Sequence, residues 1–237
     1  MSGKIAGIIV AAGEGKRLGS PIPKAFVPLA GIPMFLYSVA EFCAHPSIDS
    51  VVVVVSGSFM DEAVRLISTV NCSKPVTVER GGDHRWQSVH NGILSVHSEW
   101  VLIHDAARPF VDAGIVDSLL DKRESYTCVV TGTPAVDTMR TFDGDRCTAT
   151  IDRTKLVRIG TPQLFSRQAL LDAFARIPTS EEPPTDEAVL MEQCGIDVGL
   201  AWGNSMNFKI TTRQDLEIAE AIIRFRNTTR SSPVQPV

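Results

Sequence analysis

Residues 51 to 55 are five consecutive valines. Their β-branched side chains are stiff at χ1 and favour an extended chain, so the run reads as a strand. No polar residue interrupts it, so the strand must be buried on both faces, as in a parallel sheet covered by helices on each side. Ile5 to Val10 and Trp100 to Ile103 have the same character. Helical patterns alternate with these runs. Pro33 suits a first helical position, after which Phe35, Val39 and Phe42 recur at i, i+4 and i+7 as an apolar stripe. Similar stripes run from Phe59 to Val70, Gln87 to Val96 and Ile115 to Leu120. This order predicts an α/β fold with a doubly wound, mostly parallel sheet. Loops leaving the carboxyl ends of its strands then converge on one crevice.

We read residues 1–226 as a single domain, a length that supports one sizeable core. The stretch from Thr133 to Gly160 breaks the alternation. Thr138 to Phe142 and Cys147 to Ile151 are strand-like flanks around Asp143-Gly144-Asp145, a hairpin signal. It is rich in threonine and arginine and comes late in an already closed fold, which predicts a projecting β-arm over about 134–158 that packs on a second subunit. Ser166 is placed to cap the helix through Leu170, Leu171 and Phe174, and Thr185 the helix from Asp186 to Cys194, which Gly195 ends. Thr211 and Gln214 have capping-box spacing before Leu216 to Ile223. Residues 227–237 are polar with two prolines and read as a disordered tail.

A formal charge of −4 gives no electrostatic support to a nucleic-acid partner, and a small anionic substrate fits better. No apolar run approaches the roughly 20 residues needed to span a bilayer, so no membrane association is expected. The five cysteines, at 43, 72, 128, 147 and 194, are odd in number and scattered, without a C-x-x-C pair. That pattern predicts reduced thiols in a cytoplasmic protein.

Three loops carry unusual chemistry: Ala11 to Lys24, Arg80 to Ser88 and His104 to Pro109. The first holds Gly13-Glu14-Gly15-Lys16-Arg17-Leu18-Gly19 and then Pro23-Lys24, flexible backbone and cations suited to a nucleoside triphosphate. It is neither common nucleotide motif. Leu18 stands where a dinucleotide fingerprint has its third glycine, and Gly15-Lys16-Arg17 lacks the Ser or Thr of a P-loop. Taken alone it also describes a solvated basic turn. Nucleotidyl transfer needs alignment and positive charge around phosphorus, for which Arg17, Lys24 and Lys209 are candidates. Asp105 is the carboxylate best placed to hold Mg²⁺, largely through phosphates and water. Each has a structural alternative: Asp105 bonding its own turn, Arg108 paired with it, Lys209 facing outward from a strand. An acceptor phosphate is already ionised, so His104 is not required as a base and reads as structural. Gly81, Gly82, Asp83 and Ser88 describe a nucleoside pocket, or a glycine turn with a helix cap.

Together the segments Ala11 to Arg17, Pro23-Lys24, Gly81 to Arg85 with Ser88, His104-Asp105-Ala106-Ala107-Arg108-Pro109, Asp137-Thr138-Met139, Asp152-Arg153, Thr161-Pro162-Gln163, Thr185-Asp186-Glu187 and Asn207-Phe208-Lys209 resemble one family in order along nearly the whole chain. That family is the 2-C-methyl-D-erythritol 4-phosphate cytidylyltransferases. The resemblance implies a nucleotide-diphospho-sugar transferase-like fold. It also implies transfer of CMP from CTP to 2-C-methyl-D-erythritol 4-phosphate in isoprenoid precursor biosynthesis, with Mg²⁺ or another divalent cation. By position, Arg17, Lys24 and Lys209 would be catalytic, and Ala11, Ala12, Gly13, Gly82, Asp83, Ser88 and Ala106 would bind CTP. Asp105, Arg108, Thr138, Arg153, Thr161, Thr185 and Lys209 would bind the acceptor, and Asp105 the metal. The resemblance further implies a homodimer in which the arm carries Thr138 and Arg153 to the partner's site. Val10 replaces a frequent proline, and Ile159-Gly160 replaces a more usual Ala-Gln. The alternatives are a ribitol-5-phosphate cytidylyltransferase, a sister family that tends to carry Val at the position of Ala107, and a noncatalytic CTP-binding module. A dinucleotide oxidoreductase is disfavoured by Leu18 and by Ser56-Gly57 where an acidic residue would end the valine strand.

Overall fold

A computed structural model of the protein describes residues 3–13, 15–176 and 186–231. The first half of the chain contains β1 (Ile5–Val10), β2 (Pro28–Leu29), β3 (Ile32–Pro33), α1 (Met34–Ala44), β4 (Ser50–Val55), α2 (Met60–Ile67), β5 (Val76–Arg80), α3 (Arg85–Leu94), β6 (Trp100–Asp105) and α4 (Ala113–Leu120). The second half contains β7 (Cys128–Pro134), β8 (Met139–Asp143), β9 (Arg146–Ile151), β10 (Val157–Ser166), α5 (Arg167–Phe174), α6 (Glu187–Gln193), β11 (Val198–Trp202) and α7 (Arg213–Ser231).

The expected mostly parallel sheet has the order β11-β7-β10-β6-β1-β4-β5. Only β10 runs against its neighbours, pairing antiparallel with β6 and β7. Strand periodicity sends alternate residues to opposite faces. Val51, Val53 and Val55 join Phe35, Val39 and Phe42 of α1 in one core, while Val52 and Val54 join Val89 and Ile93 of α3 in the other. All ten residues named here are solvent-inaccessible or nearly so, so deleting a single large one, as in Phe42→Ala, is expected to cost about 3–5 kcal/mol. A third cluster, including Leu29, Phe110, Ile210 and Ile223, seats α7 beside the carboxyl edge of the sheet.

The site is positioned by a change of direction in the winding. The chain leaves β1 for β4 and β5 on one side, then returns to place β6 on the other. Val10 and Asp105 are register partners at the adjacent carboxyl ends of β1 and β6, where such sheets open a crevice. The hairpin expected within residues 134–158 is β8–β9, with Gly144 at φ 55° in its turn and every residue of both strands exposed.

Several local expectations are corrected. Pro33 precedes α1 as its N-cap, and Ser166 holds the N-cap of α5 without a capping hydrogen bond from its side chain. Asp186 caps α6 by accepting from Val189 N–H; Thr185 lies outside the described residues. The reciprocal cap of α7 is Thr212 with Asp215, one residue beyond the Thr211 and Gln214 pair, because the Asp215 carboxylate accepts from the N–H groups of both Thr211 and Thr212. Helix α7 continues past Asn227 to Ser231, into the segment expected to be a tail. Finally, not all cysteines are reduced: Cys43 of α1 and Cys72 form a disulfide with Cα atoms 5.4 Å apart, while Cys128, Cys147 and Cys194 are free.

Candidate active site

The loop after β1, the turn before α3 and the turn after β6 enclose a cleft of about 240 Å³. Main-chain bonds knit the three together: Ala11 N–H donates to Val54 O (2.7 Å), Gly81 N–H to Val55 O (2.7 Å) and Ala106 N–H to Val10 O (3.1 Å). Gly81 is required for packing, since a Cβ there would stand 2.6 Å from the Ala12 Cβ and 2.7 Å from Ser88 Oγ. Gly13 is different. A Cβ there would meet nothing within 4 Å, so its missing side chain leaves room in the cleft itself. Ser88, only 1% exposed, accepts from Gly82 N–H (3.1 Å) and donates to His84 O (3.2 Å), fixing the turn that carries Asp83.

Every residue expected to contact CTP borders this cleft: Ala11, Ala12, Gly13, Gly82, Asp83, Ser88 and Ala106. Arg17, Lys24, Lys209 and Asp105 border it too. Lys24 Nζ donates to Ile210 O at 2.8 Å and, among the described residues, has no carboxylate in hydrogen-bonding contact. Burial, helped by the nearby charge of Lys209, lowers its pKa to about 8 against the opposing pull of Asp105. Asp105 accepts from Lys209 Nζ on Oδ2 (2.7 Å) and from Arg85 Nε on Oδ1 (3.2 Å). Burial alone would raise its pKa, but Arg85, Lys209 and Arg108 outweigh burial and hold the carboxyl well below the usual range.

Behind Asp105 lies a buried polar relay. Asp105 N–H donates to Thr161 Oγ1 (3.0 Å), the Thr161 hydroxyl donates to His104 Nδ1 (3.1 Å), and His104 Nε2–H donates to Arg108 O (3.0 Å). The carbonyl only accepts, so the proton sits on Nε2 and Nδ1 is the acceptor. His104 is fully buried and its pKa falls to about 4, mainly through that burial. It is structural, as the sequence suggested. Thr161 is 5% exposed and spends its hydroxyl proton on His104, so it acts here as a prop under Asp105.

Lys209 also borders a second cleft of about 340 Å³, with Arg108, Arg158, Thr133 and Asn207. Arg108 Nη1 donates to Asn207 O (3.0 Å), yet Arg108 Nε and Asn207 Oδ1 are buried without a partner among the described residues. Within one chain Thr138 and Arg153 border neither cleft; Thr138 is exposed on the arm, and Arg153 donates to Val136 O.

Known proteins resemble this chain in sequence and fold. The family model described as 2-C-methyl-D-erythritol 4-phosphate cytidylyltransferase matches residues 5–225. The chain belongs to that family. A relative of that name from Haemophilus ducreyi is 37% identical over 226 residues, covering 93% of this chain and 96% of its own. The crystal structure of 4-diphosphocytidyl-2C-methyl-D-erythritol synthase from Anaerococcus prevotii superposes with a TM-score of 0.82 at 25% identity, covering 93% of this chain and 98% of that one. The Thermus thermophilus cytidylyltransferase structure gives 0.75 at 27% identity, covering 94% and 100%. The segments from Ala11, Gly81 and His104 border the first cleft, and with them stands a pair of residues that the sequence did not single out. Arg85 borders the first cleft, and Glu187 holds it from behind. Their only sequence signal was membership of the Gly81 to Arg85 and Thr185 to Glu187 segments.

Proposed function

We infer that this chain transfers CMP from CTP to 2-C-methyl-D-erythritol 4-phosphate, giving 4-diphosphocytidyl-2-C-methyl-D-erythritol and pyrophosphate, a step in isoprenoid precursor biosynthesis. The observation that carries the reading is the convergence of Arg17, Lys24 and Lys209 on one cleft with an ionised Asp105. An oxygen of the acceptor phosphate bonds to the α-phosphorus of CTP. The bond from that phosphorus to the bridging oxygen breaks, and pyrophosphate leaves with the electron pair. Charge builds on the phosphoryl oxygens, and fixed cations in a partly buried cleft stabilise it without reorganising. No proton has to be removed from the nucleophile. This suits a site in which His104, next to Asp105 in the chain, is neutral, buried and bonded at both nitrogens.

Mg²⁺ is the cofactor we assign. Among the described residues no three metal-ligating side chains cluster, which suits an ion held by one carboxylate with phosphate and water oxygens. Asp105 fits, being ionised at the cleft with a lone pair left on each oxygen after Arg85 and Lys209 are bonded. When bound, the ion would supply further charge neutralisation to the triphosphate. The acceptor phosphate belongs in the second cleft, where Arg108 and Lys209 meet and buried polar atoms lack partners. Thr138 and Arg153 of a second copy complete that cleft through the arm, so the working unit is a homodimer. Residues from cleft to arm act in one cytoplasmic enzyme on CTP and a polyol phosphate.

Pyrophosphate release in the presence of CTP and Mg²⁺, measured with each acceptor, tests the assignment. Turnover with 2-C-methyl-D-erythritol 4-phosphate at least tenfold above ribitol 5-phosphate is expected. Turnover confined to ribitol 5-phosphate, or none with either, refutes it.

A further inference from the structure

Glu187 opens α6 and is only 2% exposed, yet it faces the cleft through a charged intermediary. Both of its oxygens accept from Arg85 Nη1, at 2.7 and 2.8 Å. Arg85 Nε reaches Asp105 Oδ1 at 3.2 Å, and Asp105 Oδ2 holds Lys209 at 2.7 Å. The result is a line of alternating charge, Glu187–Arg85–Asp105–Lys209, that begins in the core and ends at the cleft. A buried carboxylate is costly unless paired, and burial does push Glu187 upward, with Arg85 pulling it back. Arg85 is lowered by burial but raised more by its carboxylates, so the guanidinium stays charged. Its contact with Asp105 is the longest in the line, and Arg85 itself borders the nucleotide cleft. A guanidinium tied only by that contact would be free to turn onto an anionic triphosphate and leave Asp105 unsupported.

We propose that Glu187 is a positioning residue for nucleotidyl transfer: it clamps Arg85 from behind, so that Arg85 keeps Asp105 in place when the triphosphate enters. The proposal rests on the reading of the cleft as a cytidylyltransferase site. It makes a distinction that a merely structural role does not. Without the clamp, Arg85 remains a cation at the cleft, so CTP binding persists while the alignment around Asp105 is lost.

The test compares Glu187→Gln, Glu187→Asp, Arg85→Gln and the double variant Glu187→Gln/Arg85→Gln. For Glu187→Gln, kcat is expected to fall at least tenfold with KM for CTP within twofold, and Glu187→Asp to recover part of the loss. Adding Glu187→Gln to Arg85→Gln is expected to cost nothing further, because the carboxylate acts through the guanidinium. Unchanged kcat in folded Glu187→Gln, or losses that add in the double variant, overturns the proposal. Should Glu187→Gln not fold, Glu187→Asp decides: a fall in kcat at constant KM supports positioning, and unchanged kcat overturns it. Wild-type turnover in the same assay checks the underlying reading separately. Whatever that gives, NMR of the free protein reads the clamp directly. Arg85 Nε–H exchange should accelerate at least tenfold in Glu187→Gln or Glu187→Asp, and an unaltered rate sinks the idea.

Discussion

Lys209 Nζ lies 2.7 Å from Asp105 Oδ2, so the cation nearest the boundary of the two clefts is already paired in the free protein. Its charge is shared between a fixed carboxylate and any phosphate that arrives. Lys24 stands in a different state. It is held by a neutral carbonyl, partly desolvated, and destabilised by Lys209, so it has the most to gain from an anion. A charge that is uncomfortable before the ligand binds contributes most where negative charge grows.

Lys24→Ala should therefore lower kcat by about 10²–10³ with a much smaller loss of CTP affinity. The pH dependence has a definite sign. Lys24 acts when protonated, and its free-enzyme pKa is about 8, so kcat/KM for CTP is expected to fall as pH rises through that value. Lys24→Arg should remove this alkaline limb even if the rate is lower. A limb that persists in the arginine variant belongs to another group.

Gly13, which borders the cleft, and Gly81, packed behind it on Ala12 and Ser88, separate ligand space from packing space. Gly13→Ala adds a methyl group where the protein has no atom within 4 Å, so the melting temperature should hold while KM for CTP rises about tenfold. Gly81→Ala puts its methyl into Ala12 and Ser88 and should cost about 1–3 kcal/mol of stability. Thermal unfolding and steady-state kinetics on both variants check the pair. Equal melting temperatures for the two would show that the turn yields.

What sequence could say follows how local each cause is. The valine strand and the α1 stripe were legible because burial on both faces leaves a period in the chain itself. β10 was not, since its antiparallel insertion between β6 and β7 is decided by partners elsewhere, and with it went the position of Thr161 under Asp105. The first cleft was readable because, Lys209 apart, its charged and glycine residues sit in three short loops. Glu187 and Arg85 meet across more than a hundred residues, which no spacing rule reports. The Cys43–Cys72 bond likewise depends on α1 and α2 folding back on one another, and the α7 cap moved by one residue because Thr211 and Thr212 are adjacent alternatives for one carboxylate.

His104 makes the fold acid-sensitive. It is neutral and buried in the native state with a pKa of about 4, whereas an unfolded histidine protonates near 6.5. Below 6.5 the unfolded chain binds the extra proton, so this contribution is complete above that pH and is lost progressively down to about 4. The gap corresponds to about 3 kcal/mol. Urea unfolding of wild type should show midpoints dropping across this window, and His104→Gln should be less stable at pH 7 but flatter with pH. Parallel pH curves for the two proteins would assign the acid sensitivity elsewhere.

The arm gives a prediction about subunits. Phe142 is 77% exposed on a hairpin whose residues are all exposed, Val136 just before it is 66% exposed, and Thr138 and Arg153 border neither cleft of their own chain. If each site takes Lys24 from one copy and Arg153 from the other, Lys24→Ala and Arg153→Ala homodimers are both impaired for one missing group per site. Unfolding and refolding them together makes heterodimers in which one site lacks both groups and the other lacks neither. Statistical mixing makes half the dimers heterodimeric, so about a quarter of wild-type activity should return. Recovery to that level places Arg153 in the neighbouring subunit's site. No recovery, with heterodimers present by native mass spectrometry, confines each site to one chain and removes the arm from catalysis.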